Sequence, residues 1–230
     1  VRSEPARPDG TDVIRQLFLI HRYLGIALSL VIFAWCVSGI VMMYFQFPEV
    51  TEEERVTGLA PLDLEQCCVW PEDFSNIDIQ RFSVEMLAGA PVIRLIDGFG
   101  EYVLELRNGR YLYEFDVDAA SRIAADAAPR FGLGEDARLL GLIERDQWTV
   151  AGYDQHRPLY HFAANDARGT EFYISSTTGA VVQMTTTIER IGNWLGSVVH
   201  WFYPTVLRQN AYMWSQTIIW MTILSLFLTI

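Results

Sequence analysis

From Tyr23 to Phe47 the chain runs for 25 residues without a charged side chain, and Arg15, His21 and Arg22 stand directly before that run. A helix rises about 1.5 Å per residue, so this stretch is long enough to cross a hydrocarbon core of about 30 Å with some tilt. The pattern predicts a helix from Asp12 or Val13 to Tyr44, stopped near Pro48, with residues 17–47 as its membrane segment. A polar lead-in, the length of the run and the lack of an A-x-A site set it apart from a cleaved signal peptide. A second charge-free stretch follows Arg208 and passes Tyr212, Trp214 and Trp220 on its way to Ile230. Residues 208–230 are therefore expected to form a second span. With no polar anchor at Ile230, that span reads as cut short, the natural protein continuing past it.

Charge sets the expected orientation. The first 22 residues hold four arginines (Arg2, Arg7, Arg15, Arg22) against three acids, and the 25 other acids all lie between Glu49 and Glu189. Arginine before the first span places residues 1–16 as a cytoplasmic tail and residues 48–186 on the far side, the periplasm of a bacterial inner membrane. An acidic insert with no basic patch, in a chain of net charge −11, argues against nucleic acid or anionic lipid headgroups as the insert's partner, while the two spans make the lipid bilayer a partner of the chain. All 17 basic residues are arginine, which excludes a Schiff-base or P-loop lysine. The three cysteines are Cys36 in the first span and the vicinal pair Cys67–Cys68, and they offer no zinc spacing.

Between the spans the apolar residues alternate. Val92–Ile96, Tyr102–Leu106 and Tyr111–Phe115 read as strands, the last two joined through Asn108-Gly109. A helix is expected over Ala119–Phe131, then further strands at Leu139–Ile143, Gln147–Val150, Leu159–Ala163, Glu171–Ser175 and Ala180–Met184. The two sets resemble each other. Pro91-Val92-Ile93-Arg94-Leu95 matches Pro158-Leu159-Tyr160-His161-Phe162; Gly100-Glu101-Tyr102 matches Gly169-Thr170-Glu171-Phe172 with one insertion; Gly109-Arg110-Tyr111 matches Gly179-Ala180-Val181. A duplicated α+β unit follows, with copies at about 60–117 and 118–186. Residues 187–204 are expected to form one interfacial helix that places Asn193, Ser197 and His200 on one face. Around it Trp194, Trp201, Phe202, Tyr203, Tyr212 and Trp214 make an aromatic belt.

Two histidines stand where chemistry in a membrane would be placed. His21 heads a stripe of Gly25, Ser29, Ile32, Cys36 and Gly39 that lets a helix or a flat ring approach closely. From the residues alone it is either an axial ligand or an interfacial side chain meeting headgroups. His200 is either a ligand or a hydrogen-bond partner of Asn193, Ser197 or water. About 30 Å of membrane separates the two, so they cannot bind one iron. His156 and His161 read as structural or surface residues, with His161 facing solvent in the place of Arg94. No G-x-G-x-x-G follows a strand and no nucleophile elbow is present, which argues against nicotinamide, flavin and hydrolase sites.

The segments His21–Tyr44, Glu171–Gln183 and Gly192–Arg208, with Ser38-Gly39 and the Thr178-Gly179 turn, resemble the PepSY-associated transmembrane family. The resemblance covers nearly the whole chain. It implies a membrane α-helical bundle with an inserted periplasmic domain of two PepSY-like α+β units. It further implies haem b at two sites, with His21 and His200 as axial ligands and the second ligands outside this segment. The implied activity is electron transfer to ferric or siderophore-bound iron. The alternative is a non-enzymatic accessory subunit that uses the insert to bind partners in a larger membrane complex.

Overall fold

The computed structural model describes residues 10–65, 67–71 and 78–229. The chain divides into two compact units, one running to Phe45 and resuming at Asn193, the other Gln46–Gly192.

In the first unit, helix α1 (Gly10–Met42) starts earlier than expected, so residues 10–16 of the predicted tail are helical. Residues 1–9 of that tail lie outside the described residues. At 33 residues, α1 exceeds the length of one crossing, which leaves Asp12, Arg15 and Arg22 beyond its charge-free part.

The second unit opens with α2 (Glu52–Thr57). Thr51 and Glu54 form a capping box there, each side chain accepting from the other's backbone N–H. Four strands follow as an antiparallel meander: β1 (Arg81–Leu87), β2 (Ala90–Ile96), β3 (Glu101–Glu105) and β4 (Arg110–Leu112). Helix α3 (Val117–Ala127) starts where the Asp116 carboxylate accepts from Ala119 N at 2.8 Å. A second meander then runs through β5 (Ala137–Ile143), β6 (Leu159–Ala164), β7 (Glu171–Ser175) and β8 (Val181–Thr185). Each sheet is thus a helix followed by four strands in sequential order. The matched segments fall on β2 and β6, on β3 and β7, and on the starts of β4 and β8.

Two apolar clusters hold this unit. Ile93, Leu95, Leu104 and Leu106 form the core of the first sheet. Ala120, Ile123 and Ala124 of α3 pack on Phe162, Phe172 and Ile174 of the second. The turn before β8 comes against that core. Gly179 has φ +67°, and a Cβ there would stand 2.8 Å from the Phe115 ring and 3.0 Å from Ile123. Gly179→Ala therefore meets both the left-handed backbone penalty and an overpacked contact. It is expected to lower stability by about 2–3 kcal/mol, read as a fall in the denaturant midpoint with unchanged slope.

Two further expectations differ from the structure. Residues 147–150 are not a strand: Asp146 Oδ1 accepts from Trp148 N, Thr149 N and Thr149 Oγ1 and winds the segment into turns. Trp148, Thr149 and Val150 are buried, and that produced the strand-like signal. The expected helix over 187–204 is α4 (Thr187–Leu195) and α5 (Ser197–His200), broken at Gly196, whose φ −98° and ψ −99° leave the helical region. It ends at Phe202, where φ reaches +51°. A short α6 (Thr205–Arg208) leads into α7 (Ala211–Thr229).

Among the described residues, α1 and α7 are the two helices long and apolar enough to cross a membrane. Only 6% and 0% of their apolar windows are buried, so neither is a core helix.

Candidate functional site

α5 packs on α1 within the first unit, and His200 is the side chain that meets it. The imidazole stacks on the Trp35 ring with centroids 4.8 Å apart and planes 12° from parallel. Its Nδ1 lies 3.0 Å from the Trp35 carbonyl oxygen and 3.4 Å from Ser38 Oγ. Ser38 itself donates to the same carbonyl at 2.9 Å. A carbonyl only accepts, so Nδ1 carries a proton, and in the neutral ring Nε2 holds the lone pair. Nε2 has no partner among the described residues. This is the arrangement that orients a metal-binding imidazole, one nitrogen tied to a backbone acceptor and the other open.

The place is reserved by Gly39. A Cβ on that residue would stand 3.0 Å from His200 Cε1 and 3.2 Å from Nδ1. Ser197 Oγ donates to Asn193 Oδ1 at 2.6 Å across the Gly196 break, with both side chains buried. The expected face of Asn193, Ser197 and His200 is thus divided: the first two bond to each other, while His200 bonds to α1.

His21 lies on α1, 14 residues before Trp35 and 18 before Gly39. Along an unbroken helix that is about 21–27 Å, too far for one iron to join the two imidazoles. His21 is exposed beside a shallow groove of about 460 Å³ lined by Arg22, Gly25, Ile26, Ser29 and Leu30. The small residues leave room on that face, and a Cβ on Gly25 would meet nothing within 4 Å. Cys36, on the same helix, is a free exposed thiol.

In the second unit a cavity of about 610 Å³ is lined by Arg55, Glu85, Arg94, Glu101 and His156, among others. Arg94 is buried. Its Nε donates to Glu85 Oε1 at 2.6 Å, and its Nη1 reaches Glu101 Oε1 at 3.2 Å and the Thr178 carbonyl at 2.8 Å. Thr178 belongs to the turn before β8, so this one guanidinium links the two sheets. Glu85 Oε2 also lies 3.6 Å from Arg55.

His161 corrects the solvent-facing expectation. Its side chain is 15% exposed, it pairs with Glu171 at 2.9 Å, and it stacks on Tyr173 with centroids 4.5 Å apart. Tyr173 in turn donates to Asp146 Oδ2 at 2.5 Å. Arg94–Glu101 and His161–Glu171 occupy matched positions of the two repeats. Position was legible in the sequence; burial was not, because a guanidinium or an imidazole N–H pairs inward when the neighbouring strand supplies a carboxylate.

His156 takes Gln155 Nε2 on its own Nε2 at 3.1 Å and turns Nδ1 toward Ser175 Oγ at 3.3 Å. Burial lowers its pKa below the ordinary 6.5; Glu101 works against this and Arg94 adds to it. The folded chain therefore holds the imidazole neutral, and the unfolded chain takes up a proton first on acidification. The associated stability is complete above pH about 6.5 and declines as pH falls below that value. His156→Gln should flatten this acid-side slope in a pH series of denaturant midpoints.

Reading the sequence missed Trp35 and Ser38 as partners of His200. Their signal is the spacing of Trp35, Ser38 and Gly39, which puts a carbonyl, a hydroxyl and a gap on one turn. Cys67 and Cys68 are disulfide-bonded to each other. Among the described residues no three His, Cys, Asp or Glu side chains converge as a metal site. Compared with protein-family models, curated proteins and solved structures, the chain matches none.

Proposed function

We propose that this chain is a PepSY-associated inner-membrane electron-transfer protein, holding haem b at His200 and a second haem at His21. The observation that carries the reading is His200, whose Nδ1 is pinned to the Trp35 carbonyl so that Nε2 is the free donor. A lone imidazole is no site for a bare metal ion, but it is the protein's whole contribution on one side of a porphyrin iron. Bound haem would supply one-electron exchange. His200 and His21 would orient it near the two ends of α1, Trp35 would cover one imidazole face, and Gly39 would keep room for the ring.

Two centres so spaced suit passage of electrons across a bilayer. The arginine bias before Tyr23 favours a cytoplasmic N-terminus and a periplasmic insert, and the uncovered apolar sides of α1 and α7 suit lipid. The acceptor proposed is ferric or siderophore-bound iron as substrate in the periplasm. The test is the dithionite-reduced minus oxidised absorption spectrum of the protein purified in detergent. A b-type band is expected, and its absence from haem-supplemented preparations would overturn the reading.

A further inference from the structure

Arg208 is the only charged residue after Arg190, and no Asp or Glu follows Glu189. Its guanidinium carbon lies 5.2 Å from the centre of the Tyr203 ring and 4.7 Å from that of Trp214. The clamp is itself held. Trp214 Nε1 donates to the Trp201 carbonyl at 3.1 Å, and the Trp201 ring meets Tyr203 edge-on at 5.8 Å. Within it, Arg208 Nε is the one buried side-chain nitrogen or oxygen without a hydrogen-bond partner among the described residues. Aromatic faces attract a cation but accept no directed N–H···O bond, so Nε still lacks an acceptor. A planar fork in this state matches a carboxylate or phosphate. Arg208 also stands three residues before α7, at the level where a spanning helix would enter the headgroups.

We propose that Arg208, clamped between Tyr203 and Trp214, binds the phosphate of an anionic phospholipid headgroup. This rests on the membrane reading above and not on haem. Inorganic phosphate and the carboxylates of a haem share the same oxyanion chemistry, so the test separates them.

The purified chain in a phosphate-free detergent is titrated with phosphatidylglycerol, and bound lipid is counted by native mass spectrometry with and without haem. Wild type should retain one phosphatidylglycerol that Arg208→Gln holds about fivefold more weakly, with Arg208→Lys between them. Arg208→Lys keeps the charge and serves if the glutamine variant does not fold. Equal retention by wild type and both variants overturns the proposal. Displacement of the lipid by equimolar inorganic phosphate, or by haem alone, overturns the lipid as the source of the oxyanion. Flotation of wild type and variants with phosphatidylcholine vesicles reads the membrane premise separately. Failure of all to float would sink that premise, whereas flotation with equal lipid counts would sink only the site.

Discussion

Arg94→Ala is expected to destabilise the Gln46–Gly192 unit by about 3–5 kcal/mol, the loss found when one partner of a buried ion pair is removed. The variant would leave the Glu85 carboxylate, 5% exposed, with only Arg55 at 3.6 Å, itself 39% exposed. Glu101 would lose its partner on β2, and the Thr178 carbonyl would lose the donor that ties the two sheets together. Thermal unfolding of the full chain, followed by its β-sheet signal, should show a fall on the order of 10 °C. The paired change Arg94→Met with Glu85→Met should recover part of the loss, since both charges then leave the interior together. A fall of only a degree or two for Arg94→Ala would show that water or Arg55 already satisfies Glu85.

If the chain holds the two haems proposed above, His200→Ala is expected to abolish one of two b-type signals, leaving about half of the reduced-band intensity, since that haem would lose its bond to this helix. His21→Ala should remove the other half, because some 21–27 Å of helix keeps the centres independent. Added imidazole separates ligation from packing: it should restore the band in His200→Ala by replacing the lost donor. A merely structural histidine would give no such rescue. Gly39→Val retains the imidazole but drives a side chain into the space within 3.0 Å of His200 Cε1. The same signal should weaken or shift in potential in that variant. Unchanged spectra in His200→Ala would remove His200 from the ligand set.

Local signals account for much of the architecture. The charge-free runs give α1 and α7 to within a few residues. Asn108-Gly109 and Thr178-Gly179 give their turns, because Gly109 and Gly179 take a positive φ that other residues resist. The repeat of proline, glycine and glycine locates three strands in each sheet. β1 went unread for a physical reason. Its buried residues Glu85 and Met86 are consecutive, and a buried carboxylate looks like a surface residue until Arg94 is known to reach it diagonally from β2. Helix 187–204 was read as continuous because apolar spacing carries across Gly196, while the break depends on backbone geometry that spacing does not report.

For the candidate site, the sequence by itself singled out His21 and His200 and predicted them too far apart to share one iron, since composition and helical rise are properties of the chain alone. Only the tertiary structure decided which nitrogen of His200 is free. That depends on a carbonyl of residue 35 meeting a side chain 165 positions later. The same holds for Arg94, His161 and Arg208, which are visible in the sequence but whose partners are not. Hydrogen bonding and burial are relations between distant residues, and no local pattern encodes them.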